Sequence, residues 1–487
     1  MEYRSTRGSG QGLDAAEAIL TGLAPDGGLF VPKKCPKIDL EALLGKDYVE
    51  VALAVLQAFL PDYSKTFLKE ALQSSYGAHF EGKAGYLTAL SSQLYSLELW
   101  HGPTAAFKDY ALQLMPKLLV EARRMLGRQD TTLILVATSG DTGKAALEGF
   151  KDMPGTAIAV FYPNQGVSEI QKLQMTTQEG ENVAVFAIEG NFDDAQRGVK
   201  KAFGDRELAD TLERRGVRLS SANSINWGRL VPQVVYYVTS YLQLCRKGVL
   251  RFGELLDFCV PTGNFGDIMA GWYAKQMGLP VGRLVCASNQ NNVLTEFFKT
   301  GHYNANRPFY KTSSPSMDIL VSSNLERLLF HASGDDEAVR GWMKELAEKG
   351  QYEVGKEVLA NIQGTFSAGY ADEETVGEEI RRVYEAYGYL CDPHTAVAFR
   401  VLHEGGALPR PTVVLSTASP YKFCEKVLEA LGQQVPADPF EAIGLLEKTA
   451  KGQAPKSLTS LQGKAPRFTQ TLPADEIAKA PLRLFPA

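Results

Sequence analysis

The sequence predicts an α/β fold with two open lobes, preceded by a mainly helical N-terminal unit. Three observations indicate this arrangement. Strand-like apolar runs alternate with helical patterns from residue 132 onward, at the spacing of βαβ units. Two strand–glycine loop–helix units occur, around residues 133–150 and 255–277. The segment before residue 86 shows helical rather than strand periodicity.

Composition indicates an ordinary globular protein and argues against several other classes. The chain has 487 residues, of which 45% are hydrophobic and 22% charged, enough for two or three domains. Its net charge of -5 and its short apolar runs predict neither a nucleic acid nor a membrane partner. The six cysteines form no C-x-x-C pair and the six histidines show no ligand spacing, so we expect no metal. Reduced thiols and the absence of an apolar signal segment in residues 1–20 predict a cytoplasmic protein.

The pattern divides the chain into four expected parts. They are an N-terminal helical unit (1–85), a first α/β lobe (86–225), a second α/β lobe (226–430) and a C-terminal extension (431–487).

Within these parts the periodicity predicts individual elements. One helix should run to about Leu126 with a kink at Pro116, because proline lacks the N–H that an inner turn needs. The tail after residue 450 is rich in Lys, Pro and Gly and should form an irregular arm. Further helices are predicted at 15–20, 40–45, 49–60, 64–75, 230–244 and over most of 332–388, and strands at 133–137, 156–162, 182–188, 217–220, 255–260, 283–287 and 412–415.

Lys108 lies in the stretch His101–Asp109, which otherwise holds small, apolar or turn-forming residues. Gly102-Pro103 indicates a turn, and a helical pattern follows the stretch. The helix dipole and burial beside Phe107 should both lower the pKa of the Lys108 amine. Such an amine is suited to form a Schiff base with pyridoxal phosphate. The alternative interpretation is a solvated loop lysine.

The stretch Gly263-Asn264-Phe265-Gly266-Asp267 lies between a predicted strand and a predicted helix, so it is a candidate phosphate-binding loop. Glycines let backbone amides converge on an anion, and a helix N-terminus adds its N–H groups and dipole. A tight turn needed only for packing is an equally open alternative. Asp267 is unusual for phosphate contact and is a candidate helix cap instead.

A second glycine loop, Ser139-Gly140-Asp141-Thr142-Gly143, offers hydroxyl groups and amides at the end of another predicted strand. Open α/β sheets bind ligands at such strand ends. Its glycine spacing does not fit a Walker A loop, and the chain contains no G-x-G-x-x-G, so neither nucleotide motif is indicated. The alternative is a helix-capping turn.

Two further segments hold candidate binding side chains. Arg229, three residues after Asn226, could bind a carboxylate or phosphate through two hydrogen bonds. Thr417 follows a predicted strand, and its hydroxyl could hydrogen-bond a ring nitrogen. Taken singly, a surface arginine and a turn threonine are the simpler interpretations.

Together these segments resemble the threonine synthases, fold-type II pyridoxal phosphate enzymes of the tryptophan synthase β family. The resemblance covers almost the whole chain. One departure is Ser419, since relatives often carry histidine before the proline at this point. The matching segments, in the order of the family, are Ser5–Gly8, Leu23–Pro32, His101–Asp109, Ala137–Gly143, Ser224–Arg229, Gly263–Asp267, Ser314–Asp318 and Thr417–Pro420.

The resemblance implies roles for these residues. Lys108 would bond the cofactor, and Thr417 would face its pyridine nitrogen. Asn226 and Arg229 would bind the substrate phosphate. The cofactor phosphate would be held by Gly263, Asn264, Phe265, Gly266 and Asp267, and Ser139, Asp141 and Thr142 would lie beside the cofactor and the substrate carboxylate.

The resemblance also implies the reaction, in which O-phospho-L-homoserine and water give L-threonine and phosphate. The enzyme would be a monomer or small homo-oligomer. A related lyase that stops after phosphate elimination and releases 2-oxobutyrate is an alternative that the motifs scarcely separate. A non-catalytic protein that binds a metabolite with the same fold is a second alternative, against which the intact Lys108 argues.

Overall fold

Two β-sheets of mainly parallel strands form the centre of the protein. The computed structural model describes residues 1–10, 12–164 and 167–485. The strands are β1 (Tyr3–Ser5), β2 (Phe30–Pro32), β3 (Tyr86–Ala89), β4 (Leu94–Glu98), β5 (Thr131–Ala137), β6 (Thr156–Pro163), β7 (Val183–Glu189), β8 (Val217–Ser220), β9 (Leu256–Pro261), β10 (Val281–Ser288), β11 (His302–Asn304), β12 (Gln351–Glu353), β13 (Phe366–Tyr370), β14 (Thr412–Ser416) and β15 (Thr471–Pro473).

Helices cover these sheets, and short 3-10 turns join several of them. The helices are α1 (Ala15–Thr21), α2 (Tyr48–Phe59), α3 (Lys65–Tyr76), α4 (Asp109–Leu112), α5 (Met115–Met125), α6 (Asp141–Phe150), α7 (Glu169–Thr176), α8 (Phe192–Gly204), α9 (Arg206–Arg214), α10 (Trp227–Leu230), α11 (Val234–Arg246), α12 (Gly266–Met277), α13 (Val293–Thr300), α14 (Leu325–Ser333), α15 (Asp336–Lys349), α16 (Lys356–Gln363), α17 (Glu373–Tyr387), α18 (Pro393–Glu404), α19 (Cys424–Ala430), α20 (Pro439–Ala450), α21 (Lys456–Thr459) and α22 (Ala480–Leu484). The 3-10 turns are Glu41–Leu43, Ala78–Phe80, Val231–Gln233, Pro315–Met317, Pro420–Lys422 and Ala474–Lys479. Across the described ranges, none of these helices is both long and apolar enough to span a bilayer.

The N-terminal unit is built from the helices that its sequence signals predict. Asp47 caps α2 in a capping box with Glu50, and Ser64 caps α3 through its hydroxyl. Leu56 and Leu72, on the apolar faces of these helices, are fully buried in the largest core cluster. The predicted helices 49–60 and 64–75 are therefore confirmed, whereas the predicted helix at 40–45 is only the 3-10 turn Glu41–Leu43.

The larger sheet has six strands in the order β13-β10-β9-β14-β4-β3, and all neighbours are parallel except β3 and β4. Successive residues of β9 face opposite sides. Phe258 and Val260 belong to the core cluster shared with the N-terminal unit, and Cys259 belongs to the cluster that α17 to α20 cover. Helices thus bury both faces, as a parallel sheet requires.

The smaller sheet has five parallel strands in the order β15-β7-β6-β5-β8. In β5, Ile134 and Val136 face one core cluster, and Leu133 and Leu135 face another. This alternation explains why β5 reads as a continuous apolar run. The two sheets confirm the predicted α/β class with two lobes.

Strand pairing differs in two places from the expected division of the chain. Strands β3 and β4 lie in the expected part 86–225, but β4 pairs with β14, so that Leu97 lies opposite Leu415 in the six-stranded sheet. Strand β15, within the tail expected to be an irregular arm, pairs with β7 and places Leu472 opposite Ile188. Sheet membership is decided by long-range hydrogen bonds, which chain order does not reveal.

Two predicted helices are interrupted where proline lies. The helix expected to kink at Pro116 is instead divided into α4 and α5, with Pro116 in the first turn of α5. The helix expected at 230–244 is divided into α10 and α11 by a 3-10 turn that contains Pro232. Proline fits a first turn because the N–H groups there have no intrahelical acceptor.

The expectation of mostly helical sequence over 332–388 missed the three-residue strand β12 and also strand β13. This strand pairs with β10, so that Phe366 lies opposite Leu284 at one edge of the larger sheet. Its five residues lie between two charged helices, α16 and α17, and are too few to give a strong alternation in the sequence.

Candidate active site

The loop before α4 holds Lys108 beside the carboxyl end of β14. The carboxylate of Asp109 accepts hydrogen bonds from the N–H and the hydroxyl of Thr104, at 2.9 and 2.7 Å. The N–H of Phe107 donates to the carbonyl oxygen of Thr417 at 2.8 Å. The loop that carries Lys108 is therefore held by hydrogen bonds within itself and by a hydrogen bond to the larger sheet.

The Lys108 amine is buried and has a lowered pKa. The residue is 8% exposed, and its Nζ lies 4.7 Å from the centroid of the Phe107 ring. Nζ donates a hydrogen bond to Ser316 Oγ at 3.2 Å. Burial lowers the pKa of the amine to about 8, although the Asp141 carboxylate opposes this shift. The direction agrees with the sequence prediction, and burial is the main cause of the lowered pKa.

The Gly263–Asp267 loop brings the chain from β9 into α12. Phe265 has a left-handed conformation (φ 66°), which turns the backbone sharply before the helix begins. A Cβ added to Gly263 would lie 2.7 Å from the carbonyl oxygen of Ser316, so only glycine fits there. Ser322 Oγ donates to the Gly263 carbonyl at 2.8 Å. The loop therefore presents the N-terminus of a twelve-residue helix from a fixed position.

The side chains of this loop have different surroundings. Phe265 is fully buried and stacks on Phe298 at 5.9 Å, so it can offer a ligand only its backbone. Asn264 is exposed, and its backbone carbonyl oxygen accepts hydrogen bonds from the backbone N–H and the side-chain amide of Asn324. The backbone of the loop is thus the part that fits a phosphate cradle.

Asp267 is a buried carboxylate at the start of α12. It is 6% exposed, and burial raises the pKa of its carboxyl group to about 6. Its Oδ1 accepts from the N–H of the next residue, Ile268, at 2.9 Å. This bond differs from a helix cap, which the sequence suggested, because the capping position before α12 is Phe265.

The Ser139–Gly143 loop brings the chain from β5 into α6. Thr138 Oγ1 accepts hydrogen bonds from the N–H groups of Gly140 and Gly143, at 3.0 and 2.9 Å. Gly140 has φ 137°, a conformation that side chains rarely adopt. The hydroxyl-bearing residues Ser139 and Thr142 are half-buried in this turn.

Asp141, in the same loop, forms a buried ion pair with Lys422. The two atoms that meet, Asp141 Oδ1 and Lys422 Nζ, are 2.5 Å apart, and both side chains are at most 2% exposed. Gln171 also donates to Asp141 Oδ1, at 2.8 Å, and Lys422 donates to the carbonyl of Thr104 at 3.1 Å. Burial alone would raise the pKa of Asp141, but the charges of Lys422 and Lys108 hold it well below its usual range.

Thr417 is buried at the carboxyl end of β14. Besides the bond to Phe107, its own N–H donates to Thr395 Oγ1 at 3.3 Å. Two residues later, the N–H of Ser419 donates to the carbonyl of Ala105 at 3.1 Å. The strand end and the Lys108 loop are therefore hydrogen-bonded on both sides of Ala106.

Asn226 and Arg229 lie at α10, but only one of them has a free side-chain group. The Asn226 amide donates to the carbonyl of Ile19 at 2.9 Å and accepts from the N–H of Gly228 at 2.8 Å, so it caps α10. Arg229 is 4% exposed, and burial lowers the pKa of its guanidinium to about 10. One nitrogen donates to the Ala222 carbonyl, and its Nε has no partner among the described residues.

Sequence reasoning missed three groups at this site. Lys422 is the partner of Asp141, and Ser316 is the partner of Lys108. Asp392 and His394 form a further buried pair, 2.6 Å apart, beside Ser316. A lysine five residues after Thr417 and a histidine at a proline-containing helix start were the available signals, but neither indicates burial.

Comparisons with known proteins identify the family. The family described as threonine synthase N terminus matches residues 2–76, the family of pyridoxal-phosphate dependent enzymes matches 86–368, and the threonine synthase C-terminal family matches 395–477. Threonine synthase of Pseudomonas aeruginosa is 40% identical over 92% of this chain and 94% of its own length. This chain belongs to the threonine synthase family.

Relatives and solved structures extend the match over the whole chain. Human threonine synthase-like 1 is 41% identical over 85% of this chain, which spans 58% of that longer protein. The crystal structure of pyridoxal phosphate-bound threonine synthase from Brucella melitensis is 39% identical, covers 100% of both chains and has a TM-score of 0.89. The yeast enzyme is 34% identical, with a TM-score of 0.87 over 99% of this chain and 98% of its own.

The residues present fit pyridoxal phosphate, the cofactor of this family. A buried amine with a lowered pKa suits a bond to an aldehyde. The glycine-containing backbone before α12 suits a phosphate group. The Ser419 hydroxyl, buried two residues from Thr417, has no hydrogen-bond partner among the described residues and so has a free polar group for a ligand.

Proposed function

We propose that this chain is a threonine synthase, which converts O-phospho-L-homoserine and water to L-threonine and phosphate. The observation that carries the proposal is the position of Lys108. Its buried amine lies near the aspartates of both glycine loops, Asp141 and Asp267, whose charges act on it directly. An amine with a pKa near 8 can carry or release a proton at neutral pH.

Each loop has a proposed part in holding the cofactor. The backbone of Gly263, Asn264, Phe265 and Gly266 would bind its phosphate at the N-terminus of α12. Thr417 would face the ring nitrogen, and Asp141 would lie beside the ring. The Asp267 carboxylate would repel the phosphate, and burial, which raises its pKa to about 6, favours its neutral form.

The Lys108 amine would act as the base. It would remove a proton from Cα of the substrate and then one from Cβ, and phosphate would leave from Cγ. Cγ would gain a proton in place of the phosphate, water would then add its hydroxyl group at Cβ and release its other proton to balance the phosphate, and Cα would regain a proton. Pyridoxal phosphate, when bound, supplies the electron sink for negative charge on the substrate carbons.

The other candidate residues would bind the substrate. The guanidinium of Arg229, buried and with a free Nε, would stabilise the departing phosphate. Ser139 and Thr142 would bind the substrate carboxylate. Asn226 would contribute only indirectly, by capping α10, because its side-chain amide already bonds two backbone groups.

The proposal includes a cytoplasmic location and a monomer or small homo-oligomer. The six cysteines, all free thiols, support a reducing compartment.

Product analysis tests the proposed reaction. Purified protein loaded with pyridoxal phosphate is incubated with O-phospho-L-homoserine, and phosphate, threonine and 2-oxobutyrate are measured together. Threonine equal to phosphate is the expected result. Release of phosphate together with 2-oxobutyrate would reassign the chain as a phospho-lyase. If cofactor-loaded protein released no phosphate, O-phospho-L-homoserine would be ruled out as the substrate.

The variant Lys108→Ala tests the residue that carries the proposal. Turnover should fall by more than about a thousandfold, because both the bond to the cofactor and the base are lost. Lys117→Ala is a matched control, since burial also lowers the pKa of Lys117 to about 8 but its amine bonds to Ser75 and Gln113 instead. Equal loss in both variants would show a structural effect and contradict the assignment.

A further inference from the structure

A chain of polar groups leads from Asp392 to the Lys108 amine. Asp392 Oδ2 lies 2.6 Å from His394 Nδ1, and His394 Nε2 accepts a hydrogen bond from the N–H of Ser316 at 3.2 Å. Ser316 Oγ in turn accepts from Lys108 Nζ at 3.2 Å. Ser316 is therefore the link between a buried carboxylate–imidazole pair and the lysine.

The hydrogen bonds fix the form of the imidazole. A backbone N–H can only donate, so His394 Nε2 must be the acceptor and the ring proton must lie on Nδ1, directed at Asp392. The His394 and Asp392 side chains are 3% and 0% exposed. Asp392 also caps α18 by accepting from the N–H groups of His394 and Thr395, so the pair belongs to a rigid helix start.

The segment that carries Ser316 is held from its other side as well. Asp318 Oδ1 accepts hydrogen bonds from the Asn289 amide and the Thr312 hydroxyl, both at 2.7 Å. Gly263 packs so closely that an added Cβ would lie 2.7 Å from the Ser316 carbonyl oxygen. The hydroxyl of Ser316 thus has a fixed position relative to both the lysine and the proposed phosphate cradle.

We propose that Ser316 is a positioning residue that receives the Lys108 amine whenever this amine is not bonded to the cofactor, and that Asp392 and His394 hold Ser316 in place for it. The proposal deepens the proposed function and rests on Lys108 as the cofactor lysine. A free lysine side chain has many rotamers, and an amine that serves two substrate carbons needs one position. A single fixed hydroxyl provides that position.

The charges around the amine determine how its pKa should respond. Asp141 and Asp267 favour the ammonium form, while Lys422 and Arg229 disfavour it. The Ser316 hydroxyl accepts from the amine and so also favours the ammonium form. Removing this hydroxyl should therefore lower the pKa of the amine further.

The test uses the full-length apoprotein and measures how fast its lysine captures pyridoxal phosphate across pH 6–10. Borohydride reduction followed by peptide mass spectrometry identifies the lysine that has reacted. In Ser316→Ala the capture rate at its high-pH plateau should fall about tenfold. The pH at which the capture rate is half of that plateau should move down by about half a unit. Ser316→Thr, which keeps a hydroxyl, should restore both values, and Ser313→Ala, whose hydroxyl bonds Glu373 instead, should match the unaltered protein.

Variants of His394 provide an independent test of the same proposal. His394→Leu removes the acceptor of the Ser316 N–H and should lower the plateau rate about threefold, whereas His394→Gln keeps an acceptor and should lose less. In loaded enzyme, Ser316→Ala should lower kcat about tenfold with little change in KM for O-phospho-L-homoserine.

Two results would overturn the proposal. One is a capture rate and pH midpoint in Ser316→Ala that equal those of the unaltered protein. The other is a loss that Ser316→Thr does not restore although cofactor affinity and thermal midpoint stay normal. Capture at a lysine other than Lys108 in the unaltered protein would instead refute the proposed function, so the two failures are distinguishable.

Discussion

The loops Ser139–Gly143 and Gly263–Asp267 each join a parallel strand to a helix, and each contains one buried aspartate. The two aspartates differ in charge balance. Asp141 meets Lys422 at 2.5 Å, and the pKa of its carboxyl group is held well below the usual range. Asp267 has only the N–H of Ile268 as a close partner among the described residues, and burial raises its pKa to about 6.

This difference shows that a local motif does not determine its own electrostatics. Lys422 is 281 residues from Asp141 in the sequence and reaches it from the turn that follows β14. A buried carboxylate stays ionised when a cation meets it and tends toward its neutral form when none does. The Ser139–Gly143 loop is thus tied to the larger sheet by an ion pair, while the backbone of the Gly263–Asp267 loop is left for an anion.

The variant Lys422→Met should have the largest effect on this comparison. It keeps the volume of the side chain but leaves the Asp141 carboxylate buried without its cation, which costs about 3–5 kcal/mol of folding free energy. Denaturation by urea, followed by circular dichroism at pH 7, measures the loss. The pair stabilises the fold at pH values above the usual carboxyl pKa, so the loss should be complete at pH 7.

The double variant Lys422→Met with Asp141→Asn is the control for that effect. With both charges removed, most of the lost stability should return, because the unpaired charge rather than the missing bond causes the loss. A double variant as unstable as Lys422→Met alone would show that the ion pair does not hold the Ser139–Gly143 loop to the larger sheet.

The variant Asp267→Asn should change stability in the opposite direction. The amide keeps the acceptor for Ile268 and removes a poorly compensated buried charge, so the free energy of unfolding at pH 7 should rise by about 1–2 kcal/mol. Because the folded pKa is raised, the unfavourable contribution is present above about pH 6 and is relieved as the pH falls toward the unfolded value. The gain should therefore shrink between pH 7 and pH 5; a loss of stability at pH 7 would contradict it.

The variant Gly263→Ala tests the backbone of the proposed phosphate cradle. The new Cβ would meet the Ser316 carbonyl at 2.7 Å, so the loop must shift, and the dissociation constant for pyridoxal phosphate should rise about tenfold. Fluorescence titration of the apoprotein measures it. Gly355→Ala is the control, since nothing lies within 4 Å of an added Cβ there. An unchanged dissociation constant in Gly263→Ala would show that the Gly263–Asp267 loop does not bind the cofactor phosphate.

The variants Ser139→Ala and Thr142→Ala should have the smallest effects. Both residues are half-buried, and each loses one hydroxyl without opening a large cavity, so stability should change by no more than about 0.5 kcal/mol. If these hydroxyls bind the substrate carboxylate, KM for O-phospho-L-homoserine should rise about three- to fivefold in each. Initial-rate kinetics would decide this, and an unchanged KM in both would exclude that role.

Local sequence determined the elements whose causes are local. The apolar run Leu133 to Ala137 and the helical patterns at 49–60 and 64–75 predicted their strand and helices because neighbouring residues carry the signal. The lowered pKa of Lys108 was also predictable, since apolar neighbours in its own loop indicate burial. The resemblance to the threonine synthases, carried by short ordered motifs, predicted the family and the cofactor.

Only the tertiary structure decided which distant groups meet. The pairing of β4 with β14 and of β15 with β7, the ion pair of Asp141 with Lys422 and the contact of Lys108 with Ser316 all join residues far apart in the chain. Such contacts leave no periodic or adjacent signal in one sequence. They form because burying two sheets and their helices together leaves a few polar groups inside, and each of these must find its partner where the packing places it.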